Sequence, residues 1–101
     1  MAIVEVTIVP LGTDSTSLSP YVAAVHQIAQ EATRDGIKVM LTPMSTILEG
    51  ELDGILELVR RMHEVPFESG AKRVSTSIRI DDRRDKVGTM DDKMRSVTSL
   101  L

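Results

Sequence analysis

Ile37-Lys38-Val39-Met40-Leu41-Thr42-Pro43-Met44-Ser45-Thr46-Ile47-Leu48-Glu49-Gly50 is the stretch that decides the fold. Ile37, Val39 and Leu41 alternate with Lys38, Met40 and Thr42, the period of a strand with one buried face. Pro43 breaks the run, and Ser45–Gly50 is a second β-prone stretch, so the segment reads as a hairpin around Pro43-Met44. On its N-terminal side, Val22, Val25, Ala29 and Ala32 recur at helical spacing with Ile28 widening the stripe. Ser19-Pro20 supplies a cap and a first-turn proline, and Gly36 a C-terminal stop. On its C-terminal side, Leu52, Ile55, Leu56, Val59 and Met62 give a second amphipathic helix. Pro66 would remove one hydrogen bond and press on the carbonyl of Met62, so this helix is expected to end near Val65 or to kink before Gly70.

One further strand lies outside each helix. Ile3–Val9 alternates, with Val4, Val6 and Ile8 on the core face, and the turn-forming Pro10–Ser17 follows it. Arg73–Ile80 sets Val74, Thr76, Ile78 and Ile80 against Arg73, Ser75, Ser77 and Arg79. Thr89–Val97 opens on a cap residue and early acids and predicts a short closing helix. The order is therefore βαββαβ plus a C-terminal helix. Two right-handed crossovers put both long helices on one face of a four-stranded antiparallel sheet, a ferredoxin-like α+β sandwich formed by residues 1–101 as one domain. The open face would carry Glu5, Thr7, Lys38, Met40, Thr42, Ser75, Ser77 and Arg79, too polar for a second core but suited to a wet ligand site or a subunit contact.

The 101 residues carry a formal charge of −3, which argues against a general nucleic-acid binder. With Tyr21 and Phe67 as the two aromatic residues, base-stacking platforms are also absent. The charge is uneven: residues 1–71 hold four basic and ten acidic side chains, residues 72–101 eight and five, so the C-terminal quarter can attract the rest of its own chain or a neighbour's. The absence of cysteine removes disulfides, thiolate zinc sites and a cysteine nucleophile, and predicts a cytoplasmic protein. No basic leader precedes the first apolar run and no run reaches the length of a membrane span, so neither export nor a membrane partner is expected.

No catalytic constellation emerges. His26 and His63 fall on separate predicted helices without carboxylates at ligand spacing, and no metal site is expected there. A serine elbow and a glycine-rich phosphate loop are missing, and the chain has no Asn to orient water in an acylphosphatase-like site. Asp81–Lys86 reads as a solvated or inter-subunit ion-pair network. Thr42-Pro43-Met44-Ser45-Thr46 beside Glu49 combines hydroxyls, a thioether and a carboxylate, a set able to hold a heteroaromatic ring or to form a plain turn.

Four stretches, Glu5–Thr13, Leu41–Gly50, Gly70–Val74 and Ile80–Lys86, with Met62-His63-Glu64 and Asp92–Val97, resemble in order the small thiamine-binding family related to the YkoF proteins. The resemblance implies a subunit that assembles into dimers or tetramers and binds thiamine or its hydroxymethylpyrimidine portion without transforming it, as a carrier or sensor with no other cofactor. The implied ligand contacts are Thr13 and Ser17 after the first strand, and Thr42, Met44, Ser45, Thr46 and Glu49 in the hairpin. Two departures from the family pattern stand out: Ser45 where Gly is common, and Pro66. A structural or regulatory homo-oligomer without a small-molecule ligand is the competing expectation.

Overall fold

The computed structural model describes residues 1–12, 19–85 and 89–101. Its elements are strand β1 (Ala2–Leu11), helix α1 (Ser19–Glu31), strands β2 (Lys38–Leu41) and β3 (Thr46–Gly50), helix α2 (Leu52–Glu68), strand β4 (Arg73–Asp82) and helix α3 (Met90–Thr98). The sheet order is β2-β3-β1-β4, and every pairing is antiparallel. This is the ferredoxin-like α+β sandwich expected from the hairpin reading. Each β-α-β crossover passes over one intervening strand, so β1 becomes the centre of the sheet although it comes first in the chain.

Cross-strand register sorts the side chains. Val4 stands opposite Leu48 and Ile80, and Val6 opposite Thr46 and Ile78, so these residues share the helix-covered face. There Val4, Val6 and Leu48 pack with Val25, Ala29 and Ala32 from the α1 segment and with Ile55, Leu58, Val59 and Met62 of α2. Burial of this apolar set drives folding at roughly 25 cal/mol per Å² removed from water. Leu58, absent from the predicted stripe, is fully part of it.

The structure moves several expected boundaries and burials. Strand β1 runs past Val9 and takes in Pro10, opposite Val74 of β4. Its ladder with β3 stops at Val6, so the proline lies where the strand is paired on one flank alone. The last turn of the first helical segment tightens into a 3-10 turn, Ala32–Asp35, closed by Gly36 at φ 82°, a left-handed conformation that glycine adopts without a Cβ penalty.

Helix α2 continues through Pro66 to Glu68 instead of ending near Val65. The proline sits two residues before the end and is buried, so the helix loses one hydrogen bond there while keeping the contact. Amides beyond it accept the closing role: Ser69 N–H donates to the carbonyls of Val65 and Pro66, and Ala71 N–H to that of Pro66. The expected core residues Val22, Leu41, Leu56, Ile78 and Ile80 are between 39 and 49% exposed, because two helices cannot cover the full width of four strands.

Helix α3 closes the chain. The Thr89 hydroxyl accepts from Asp92 N–H while the Asp92 carboxylate accepts from Thr89 N–H, a reciprocal capping box. Hydrogen bonds from Arg95 and Thr89 hold the Asp92 carboxyl below the ordinary carboxylate range. Lys38 of β2 pairs with Asp91 at 2.7 Å and Lys93 pairs with Asp81 of β4, so α3 is tied by ion pairs to strands at opposite edges of the sheet.

Leu48, fully buried in the central part of the sheet, tests this packing. Leu48→Ala should lower unfolding free energy by about 2–5 kcal/mol in chemical denaturation, whereas a loss below 1 kcal/mol would show that the site collapses or is not core.

Candidate functional site

β1 pairs with β4 from Ala2 to Leu11 but with β3 from Ala2 to Val6. Beyond Val6 its other flank has no strand partner, and a cavity of about 120 Å³ opens there. Val6, Ile8, Val22, Val25 and Met62 supply apolar walls; Thr7 and the whole turn segment from Leu41 to Thr46 complete the lining. Apolar walls with a few convergent polar groups are the usual make-up of a small-molecule site. A wider cleft, about 490 Å³ beside the start of α2, is lined mainly by charged residues such as Glu51, Asp53, Asp82, Arg83 and Arg84, which suits solvent better than an aromatic ring.

The turn is held by Thr42. Thr42 N–H donates to the Ser45 carbonyl at 2.8 Å, and the Thr42 hydroxyl accepts from Ser45 N–H at 2.9 Å while lying 3.0 Å from both the carbonyl oxygen and Oγ of Ser45. Ser45 Oγ in turn donates to Glu5 Oε2 at 3.1 Å. This fixes the hairpin tip without the Asn-Gly turn that its length would favour. Met44 at the tip is 85% exposed, free to fold over a bound ring.

Thr46 differs from its neighbours. It lies on the helix-covered face, lines the cavity and is 7% exposed, yet among the described residues its hydroxyl has no hydrogen-bond partner. The hydroxyl keeps contact with solvent, since the one fully buried side-chain polar atom without a partner among the described residues is His26 Nδ1, so it is open to a hydrogen bond from a ligand or water in the cavity.

The hairpin therefore brings together Thr42, Met44, Ser45 and Thr46 from the expected contact set. Thr13 and Ser17 lie outside the described residues. Glu49 is placed elsewhere: it stands opposite Ile3 and Lys38 on the open face, roughly 10 Å along β3 from Thr46 at 3.3 Å per residue. Glu49 is 5% exposed and makes no hydrogen bond or ion pair among the described residues, since Lys38 bonds Asp91 instead. The Lys38 ammonium is held above its ordinary range first by that bond to Asp91, with a smaller contribution from Glu49. Glu5, not expected at the site, is the carboxylate bonded to the hairpin. Its position in an alternating strand showed its face; the diagonal contact to Ser45 depends on register, which the sequence does not display.

The histidines stay in their helices. His63 Nδ1 lies 2.6 Å from Thr76 Oγ1 and its ring meets Phe67 edge-on, and His26 Nε2 lies 3.0 Å from Gln30 Nε2. The acidic-basic loop forms ion pairs within the chain, Arg83 with Asp85 and Arg84 with Asp82, and the Arg84 guanidinium holds the Asp82 carboxyl below its ordinary range. Lys86 lies outside the described residues.

Fold and cavity define a ferredoxin-like α+β domain with a cavity of about 120 Å³ where the central strand outruns its neighbour. The chain belongs to the thiamine-binding protein family, matching it over residues 4–98. It is 49% identical to the UPF0045 protein YqgV of Bacillus subtilis over all of this chain and 98% of that one. Among solved structures, protein MJ1052 of Methanocaldococcus jannaschii superposes with a TM-score of 0.84 at 33% identity, over 96% of this chain and 95% of that one. A Thermotoga maritima protein, TM0486, shares the fold with a TM-score of 0.71 at 22% identity, over 95% and 97% of the two chains.

Glu49 is largely buried as a residue and Lys38, opposite it, is bonded to Asp91, so its charge is only partly compensated, which costs stability. Glu49→Met should therefore raise the melting temperature, by about 4–8 °C if 1 kcal/mol is recovered; a lower melting temperature in a thermal scan would mean that Glu49 is satisfied in the folded chain.

Proposed function

We propose that this chain is a non-catalytic, cytoplasmic binding protein that takes up thiamine or its hydroxymethylpyrimidine portion in the hairpin cavity, as a carrier or sensor. Family membership sets the ligand class, and the Thermotoga protein of the same fold is named as a candidate for thiamine biosynthesis or salvage. The observation that carries the reading is the Thr46 hydroxyl, which has no hydrogen-bond partner among the described residues and stands in the cavity wall beside Val6, Ile8, Val25 and Met62. A cavity of about 120 Å³ matches one heteroaromatic ring rather than two. The pyrimidine would then lie between Val22, Val25 and Met62, with the Thr46 hydroxyl on a ring nitrogen or amine and Met44 closing over the outer face. Among the described residues the hairpin offers hydroxyls and one hydrogen-bonded carboxylate, a set that supports holding a ring rather than converting it.

A second reading places the ligand on the open face, and the observation favouring it is Glu49: a carboxylate with no hydrogen bond among the described residues, on a largely buried residue, suits an exocyclic amine. The two readings separate by substitution. Thr46→Val keeps shape while removing the hydroxyl and should weaken binding about three- to tenfold, the usual worth of one hydrogen bond, in titration calorimetry with thiamine and with hydroxymethylpyrimidine. A tenfold loss in Glu49→Ala with Thr46→Val unchanged would move the ligand to the open face. No heat from either compound with a folded protein would leave the homo-oligomer without a small-molecule ligand as the surviving account. In either reading the functional unit is a homo-oligomer, a dimer or tetramer, because large apolar side chains remain exposed along β4.

A further inference from the structure

Every described residue that lines the hairpin cavity is uncharged, apolar on the side of Val25 and Met62 and hydroxylic at Thr42, Ser45 and Thr46. The charge bonded to that lining is negative. Half-buried Glu5 accepts from Ser45 Oγ through Oε2 at 3.1 Å, so a carboxylate stands one hydrogen bond behind the hairpin. Cations are further off. Arg79 is opposite Glu5 on the β4 side, with β1 between it and the hairpin, and Lys38, at the far end of β2 from the hairpin, is bonded to Asp91. In sequence, no Lys or Arg precedes Arg34, so β1 and α1 bring no cation to this region.

We propose that Glu5 makes this site select by charge, so that it holds a pyrimidine whose methylene substituent is neutral or cationic and rejects the phosphate ester of the same alcohol. This rests on the reading that the pyrimidine lies in the hairpin cavity, and adds what decides among its derivatives. In hydroxymethylpyrimidine, in thiamine and in the monophosphate ester, the same ring methylene carries a hydroxyl, a thiazolium nitrogen or a phosphate. The charge there is accordingly zero, positive or close to two negative units. A cavity of about 120 Å³ holds one ring, so the second ring of thiamine stays outside it. The methylene that joins the two rings then lies at the rim, where the hairpin places Ser45 with Glu5 behind it.

Charges closer than a Debye length, about 8 Å at physiological salt, are incompletely screened, and a half-buried carboxylate is screened less than an exposed one. A phosphate at the rim would face Glu5 and find no cation on the described lining, and desolvating an unpaired charge is costly. A cationic substituent reverses the sign of the interaction. The chain thus holds the pyrimidine alcohol on the unphosphorylated side of a phosphoryl-transfer reaction, the class of step that would convert it into the rejected ester.

Titration calorimetry at about pH 7, where the ester carries most of its second charge, would compare hydroxymethylpyrimidine, its aminomethyl analogue and its monophosphate ester. In the unmodified protein the alcohol and the protonated amine should each bind about tenfold more tightly than the ester or better, because like charges set side by side are costly. Raising the salt concentration should narrow the gap. Glu5→Gln, checked for native circular dichroism, keeps an acceptor for the Ser45 hydroxyl while removing the charge, and should narrow it about threefold or more. Equal affinities for alcohol and ester in the unmodified protein overturn selection by charge and leave pyrimidine binding standing. A gap that Glu5→Gln leaves unchanged overturns the part assigned to Glu5. Heat from none of the three compounds, with a folded protein, overturns the pyrimidine reading and this inference together.

Discussion

The ladder between β1 and β4 is longer than the ladder between β1 and β3, and most of what is particular to this molecule depends on that mismatch. Paired on both flanks from Ala2 to Val6, β1 anchors the core through Val4, Val6 and Leu48. Paired on one flank from Thr7 to Leu11, it leaves a gap that the hairpin tip borders and α1 and α2 roof. The same long ladder gives β4 ten residues of ordered backbone, far more than the helices can cover on one side.

The hairpin cavity and the long open edge of β4 thus follow from one feature of strand length, and they lie on opposite flanks of β1. The open face of the sheet carries Glu49, and the α3 ion pairs lie beside it. There, exposed pairs such as Lys38 with Asp91 contribute little because solvent screens them, and the reciprocal cap at Thr89 does as much to keep α3 helical.

Much of this was legible before any coordinates. Alternation in Ile3–Val9, Ile37–Thr42 and Arg73–Ile80 gave the strands and their faces, and helical spacing gave both long helices, because a period of two or 3.6 is a local property of the chain. Of the two outcomes that Pro66 allowed, the end near Val65 did not occur, since a buried proline near the end of a helix costs one hydrogen bond that packing can outweigh. The extension of β1 through Pro10 and the exposure of Ile78 and Ile80 were hidden for another reason. They depend on which strand stands beside which, and for how long.

The site was legible to the same extent. The hairpin hydroxyls were visible as composition, and Thr42, Met44, Ser45 and Thr46 do share one cavity. Glu49 is adjacent in sequence but alternates to the other face, and Glu5 reaches Ser45 across a register that no residue pattern shows. The partnerless state of the Thr46 hydroxyl is a statement about neighbours, so coordinates alone could reveal it.

The central claim, a ligand held where β1 loses its second neighbour, is tested most directly by amide chemical-shift mapping on uniformly ¹⁵N-labelled protein during titration with thiamine and hydroxymethylpyrimidine. The account predicts saturable shifts concentrated at Thr7, Ile8, Val9 and Thr42–Thr46, with β4 from Ser75 to Asp81 little affected. Saturable shifts centred instead on Ile3, Lys38 and Glu49, with the hairpin unmoved, would contradict it.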